Sequence, residues 1–121
     1  MAAAKVNLSD IEIGATYKYT IIWKDSDGVP IDLTGSLAKL HIRPTKDSAT
    51  LLLELSTENS RIILTPLLGQ IDLYISDETT DTLVSDNVSK FYDLKIYHPN
   101  GEETRLIEGK VKFSPGVTKD V

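Results

Sequence analysis

The sequence predicts an all-β fold: an antiparallel Ig-like or jelly-roll-like β-sandwich of seven to eight strands, with one short helical turn near residues 77–83. Three observations carry that prediction. Apolar and polar residues alternate in stretch after stretch, as in Ala38, Leu40 and Ile42 against Lys39, His41 and Arg43. Turn residues punctuate these stretches at the spacing of a sandwich or small barrel. No segment holds the helical period over three turns.

The elements follow in order. Met1 to Ala15 reads as an extended arm or a short leading strand, with Ile11 and Ile13 alternating and Gly14 breaking it. Thr16 to Lys24 is the first firm strand, with Tyr17, Tyr19, Ile21 and Trp23 on one face. Asp25-Ser26-Asp27-Gly28 is a turn, and Thr34-Gly35 punctuates the chain again. Ser36 to Pro44 is the second strong strand, ended by a proline that has no N–H to give a ladder. Shorter strands are expected at Leu51 to Leu55, Arg61 to Thr65 and Gln70 to Ile75, separated by Glu58-Asn59-Ser60 and Leu68-Gly69. Ser76 followed by Asp77 and Glu78 is a helix-start signal, with Leu83 and Val84 expected to pack that turn across an open end of the sheets. Asp86-Asn87 leads into a final hairpin, Tyr92 to Tyr97 and Thr104 to Phe113, joined at His98-Pro99-Asn100-Gly101. The apolar parity changes between Leu106 and Val111, which places a bulge near Glu108-Gly109. The domain expectation is an extended arm over 1–13, one sandwich over 14–114 and a tail over 115–121, with neither arm nor tail given a reason to fold back on the core.

With 121 residues the chain fits one domain with a modest core. It has no cysteine, which closes the disulfide and thiolate routes and suits a protein made in the cytosol. The start, MAAAKVNLSD, lacks the apolar run of a signal peptide or membrane span. Net charge is −5, and the basic residues are scattered singly. Neither nucleic acid nor an anionic membrane is expected as a partner.

No catalytic, cofactor or metal residue emerges, so the expectation is a non-enzyme without cofactors or small-molecule substrate. Asp25-x-Asp27-Gly28 echoes the start of a calcium loop but runs into Val29-Pro30-Ile31, and reads as an acidic hairpin turn. Asp77, Glu78 and Asp81 read as capping and solvated acids. His41 and His98 have no second histidine or cysteine beside them and read as surface residues. Carboxylate pairs for glycoside hydrolysis meet only in space, and eighteen acids supply many by chance. Trp23, Tyr17 and Tyr19 share a face with Ile21 and read as core rather than as a sugar platform. Tyr97 falls on the outward parity of its strand. With Arg43 and His41 it forms the candidate contact surface.

The order of features extends beyond generic β patterning. It runs Gly14, Tyr17 to Trp23, Asp27-Gly28-x-Pro30-Ile31-Asp32-Leu33-Thr34-Gly35, Ile42-Arg43, then Gly69-Gln70-Ile71-x-Leu73-x-Ile75-Ser76. Thr80 to Leu83, Tyr92-Asp93-Leu94, Gly101, Arg105-Leu106-x-x-Gly109-x-Val111 and Val117-Thr118 close it. From about Gly14 to Thr118 the chain resembles small Ig-like β-sandwich structural proteins of tailed bacteriophages. It is similar to the N-terminal domain of phage baseplate upper proteins, where that domain usually precedes a long helical or fibrous part, whereas the sequence here stops at Val121. The resemblance implies a virion structural protein made in the host cytoplasm. It would be a tail or baseplate component that self-associates as a homo-oligomer and bridges other phage structural proteins. Head decoration, and a carbohydrate- or receptor-binding module, are the alternatives.

Overall fold

The computed structural model describes residues 3–84 and 88–115. Seven strands of four or more residues form the sandwich: β3 (Tyr17–Ile22), β4 (Leu37–Arg43), β5 (Leu53–Ser56), β6 (Ile62–Thr65), β7 (Gln70–Ile75), β8 (Lys90–Tyr97) and β9 (Glu103–Val111). Three two-residue strands, β1 (Ala4–Lys5), β2 (Ile11–Glu12) and β10 (Phe113–Ser114), complete it. One sheet has the order β1-β9-β8-β4-β5 and the other β3-β7-β6, with β10 paired to β2. With the N-terminal strand counted as the first, β3, β7 and β6 take the places of the second, fifth and fourth immunoglobulin strands; β4, β8 and β9 take those of the third, sixth and seventh, with β5 as the extra strand beside the third. That is the immunoglobulin arrangement and not a jelly roll.

The alternation expected in the long strands is met. Ala38, Leu40 and Ile42 of β4, and Tyr92, Leu94 and Ile96 of β8, are buried against Tyr17 of β3 and Ile71, Leu73 and Ile75 of β7. Burying one such aliphatic side chain contributes about 1.5–3 kcal/mol. Ser76 caps the helical turn α1 (Asp77–Thr80), its hydroxyl accepting from the Thr79 N–H. The fully buried Thr80 ties this turn to the start of β3: its hydroxyl accepts from Gly14 N–H and donates to the Ala15 carbonyl. Leu83 packs against the core as expected, but Val84 is exposed. The Asp86-Asn87 turn and the tail beyond Pro115 lie outside the described residues.

Two expectations are corrected. Of the two readings of the N-terminus, the short leading strand is met at β1 and β2, while the free arm is not: residues 4–13 fold back on the sandwich rather than extending from it. They run parallel to the outer edge of β9 and its continuation, with N–H groups of Val6, Leu8, Ile11 and Ile13 donating to carbonyls of Glu108, Lys110, Lys112 and Ser114. Leu8 and Ile11 are buried in the core, which is the reason the segment docks. The bulge, in turn, lies earlier than Glu108-Gly109: Leu94 faces Ile107 while Lys95 faces Arg105, so Leu106 is the extra residue. Gly109 has a different role. A Cβ there would lie 2.0 Å from the Val6 carbonyl oxygen, so only glycine lets the N-terminal strand approach. The same carbonyl accepts the Tyr92 hydroxyl across the strand pair.

Burial raises the Tyr92 hydroxyl well above the ordinary tyrosine value, and Tyr17 shifts the same way from the same cause. The folded protein therefore keeps protons that the unfolded chain releases near pH 10, so stability is full below that pH and falls as pH rises beyond it. Urea unfolding between pH 8 and pH 11 should show that fall. Tyr92→Phe should weaken it while costing about 1–3 kcal/mol at neutral pH, because the Val6 carbonyl loses its partner. Gly109→Ala should cost roughly 1–3 kcal/mol by overpacking and raise amide exchange over residues 4–13; unchanged exchange there would contradict the close approach.

Candidate contact surface

The outer face of the five-stranded sheet is built from the side chains that alternate away from the core. β4 places Leu37, Lys39, His41 and Arg43 on it, and β8 places Phe91, Asp93, Lys95 and Tyr97 directly opposite. β9 adds Glu103, Arg105, Glu108 and Lys110, and β5 adds Glu54. Five basic side chains (Lys39, Arg43, Lys95, Arg105, Lys110) thus share the face with four acids (Glu54, Asp93, Glu103, Glu108). The net −5 of the chain resides elsewhere.

Most of these charges are paired across strands. Arg105 Nε lies 3.3 Å from Asp93, Lys46 reaches Glu108 at 3.6 Å, and Lys95 meets Glu103 at 2.7 Å. The Glu103 hydrogen bond, foremost, holds the Lys95 ammonium above its usual range. Such exposed pairs add little stability each, but they fix the orientation of the side chains.

The structure brings two of the three predicted residues together and leaves the third apart. His41 Nε2 lies 2.7 Å from Glu54, and its Nδ1 lies 3.2 Å from an Arg43 amino group. Arg43 also donates to the carbonyls of Ser48 and Ala49, so it ties down the loop after β4. Tyr97 stands four residues along β8 from the partner of His41, about 13 Å away. Lys39 and Lys95, the next cross-strand pair on the same face, bring their ammonium groups to 5.7 and 5.3 Å from its ring centre. Leu37, its cross-strand neighbour, is exposed. An aromatic ring with an apolar neighbour and two flanking cations can take an apolar or acidic side chain of a partner.

The other candidates find structural work. The Asp25 carboxylate accepts from the N–H groups of Asp27 and Val29 and so closes its own hairpin turn. His98 donates to or accepts from the Thr104 hydroxyl at 2.8 Å, and its ring packs near Trp23. Tyr17 is buried, while Tyr19 and Trp23 pack half-buried against the core, so these rings do not assemble an open platform. Among the described residues no three His, Asp or Glu side chains gather at metal-binding spacing. Sequence reasoning missed the two lysines around Tyr97. Their outward parity was readable, but the register that sets Lys39 and Lys95 beside the ring was not.

No protein-family model matches the chain, and no curated protein matches it. A solved structure that does match is that of extracellular domains 3–5 of Drosophila OTK, 13% identical, covering 92% of this chain at a TM-score of 0.38. The chain spans about a third of that structure's length (34%).

Arg43→Ala should free the loop that Arg43 holds through Ser48 and Ala49. Amide exchange should rise over residues 45–50 and stay unchanged in β7, with global stability altered by less than about 1 kcal/mol. A uniform rise across the sandwich would instead give Arg43 a role in the whole fold.

Proposed function

We propose that this chain is a non-enzymatic structural protein of a tailed-phage particle, most simply of the tail or baseplate. In this reading it self-associates and bridges larger particle proteins through the outer face of its five-stranded sheet. The particle assignment rests on the resemblance along Gly14 to Thr118. The contact role rests on one observation: Tyr97 sits on that face beside exposed Leu37, with the ammonium groups of Lys39 and Lys95 near its ring. Aromatic residues in such positions carry a disproportionate share of interface energy.

Immunogold microscopy of purified particles, with antibody to this chain, tests the assignment. Label at a fixed place on the particle supports it, and at the tail or baseplate supports the finer reading. Intact particles without label, from a lysate that contains the protein, overturn it. Tyr97→Ala should reduce incorporation or partner affinity at least about tenfold, the effect of losing roughly 1.4 kcal/mol, without lowering the melting temperature. Unchanged affinity would remove Tyr97 from the contact.

A further inference from the structure

The edges of the two sheets are not treated alike. The outer edge of β9 is covered by residues 4–13. Along β5, the Glu54 carbonyl accepts from the Asn59 side-chain amide and the Arg61 guanidinium, and the Ser56 N–H donates to the Asn59 side chain. The outer edge of β6 is four residues long. β3 has six residues, with β7 on one side and no strand on the other. In the immunoglobulin arrangement the first strand lies beside the second. Here residues 4–13 pair with β9 instead, and the place beside β3 is open.

The ladder fixes what this edge presents. The Trp23 N–H donates to the Gly69 carbonyl, one step beyond the Ile22–Gln70 pair, so Trp23, Ile21 and Tyr19 direct their backbone groups toward β7. Lys18, Thr20 and Ile22 direct theirs outward, where they meet no backbone partner among the described residues. The side chains of Lys18, Thr20 and Ile22 are exposed, and the alternation continues to exposed Lys24 at its bridge to Pro30. Neither lysine makes an ion pair among the described residues. Asp72, opposite Thr20, already accepts from Thr20 and Gln70, and Asp25 is engaged in its own turn. On the inner side Tyr19 and Ile21 are only half-buried, whereas Ile71, Leu73 and Ile75 of β7 are fully buried.

We propose that the outer edge of β3 takes up an extended segment of a partner protein as an added strand, with acids on that segment's outer face. Outward N–H and C=O groups on every second residue are matched by the backbone of another strand. Apolar side chains on the inner face of the incoming strand cover Tyr19 and Ile21, and acids on its outer face meet Lys18 and Lys24. The same charges decide against a second copy of this chain. Antiparallel pairing along the whole edge sets Lys18 opposite Lys24, and parallel pairing sets identical lysines side by side. The edge belongs to the sheet that does not carry Tyr97, and the inference does not depend on the particle assignment.

Amide exchange of the intact chain with synthetic peptides tests this. The probe is roughly eight residues of alternating valine and glutamate, about the length of the edge. The control peptide has lysine in place of glutamate. With the probe in excess, exchange at Lys18, Thr20 and Ile22 should slow at least about tenfold, while Tyr19 and Ile21, already in the ladder, change little. The double variant Lys18→Glu, Lys24→Glu, at two exposed positions, should keep the wild-type melting temperature. It should lose about tenfold in affinity for the probe and prefer the control peptide. Thr20→Pro removes an outward N–H that the fold does not use and should abolish binding of either peptide. No slowing at the three outward amides, equal binding of the two peptides, or unchanged affinity in the charge-reversed variant would overturn the proposal. Slowing of the same amides in concentrated protein without peptide would overturn it as well, by making a second copy the occupant. Slowing confined to β4 and β8 would do the same, by moving the contact to the Tyr97 face.

Discussion

The Val6 carbonyl is the point on which the sandwich closes. It lies against Gly109, where no side chain fits, and accepts the buried hydroxyl of Tyr92 from the neighbouring strand. The β8–β9 hairpin and an N-terminal strand 86 residues before Tyr92 thereby share one hydrogen-bonded contact. Without it β9 would be a nine-residue open edge, and unpaired edges of that length invite pairing with other chains. The same docking carries Leu8 and Ile11 into the core. The burial of those two residues and the satisfaction of β9's outer carbonyls depend on one another.

The parts of the fold legible in the sequence are those set by local alternation. β4 and β8 have the right faces because Ala38, Leu40 and Ile42, like Tyr92, Leu94 and Ile96, have strict period two. The helical turn was legible because capping chemistry is local: Ser76 supplies the acceptor, and Asp77 and Glu78 suit the positive end of a helix. What was not legible is non-local. The N-terminal segment has no strong alternation of its own, and its reason to be a strand is a carbonyl ladder about a hundred residues away. For the same reason alternation alone puts the bulge near Glu108 rather than at Leu106: parity shows that a residue is extra but not which one. Gly109 has the look of a bulge glycine, yet the atom that requires it belongs to Val6.

The candidate surface divides along the same line. His41, Arg43 and Tyr97 are correctly outward, since parity is local. Their division of labour comes from register. Arg43 is bound to loop carbonyls and His41 to Glu54, so both are engaged within the protein. Tyr97 is partly exposed with two cations near its ring, and one of them, Lys39, makes no ion pair among the described residues. The face is close to neutral in a chain of net −5, so a partner meets little local charge repulsion there.

The turn between β6 and β7 poses a sharper physical question than the sheet face. Apolar side chains gain by leaving water, yet Leu67 and Leu68 stand exposed on a turn fixed by its backbone. Pro66 fixes the entry to the turn, and the contact of Gly69 with the Trp23 carbonyl leaves no room for the turn to roll inward. A rigid turn cannot lower the cost of its exposed apolar surface by rearranging within its own fold. That cost falls only when another surface covers the turn.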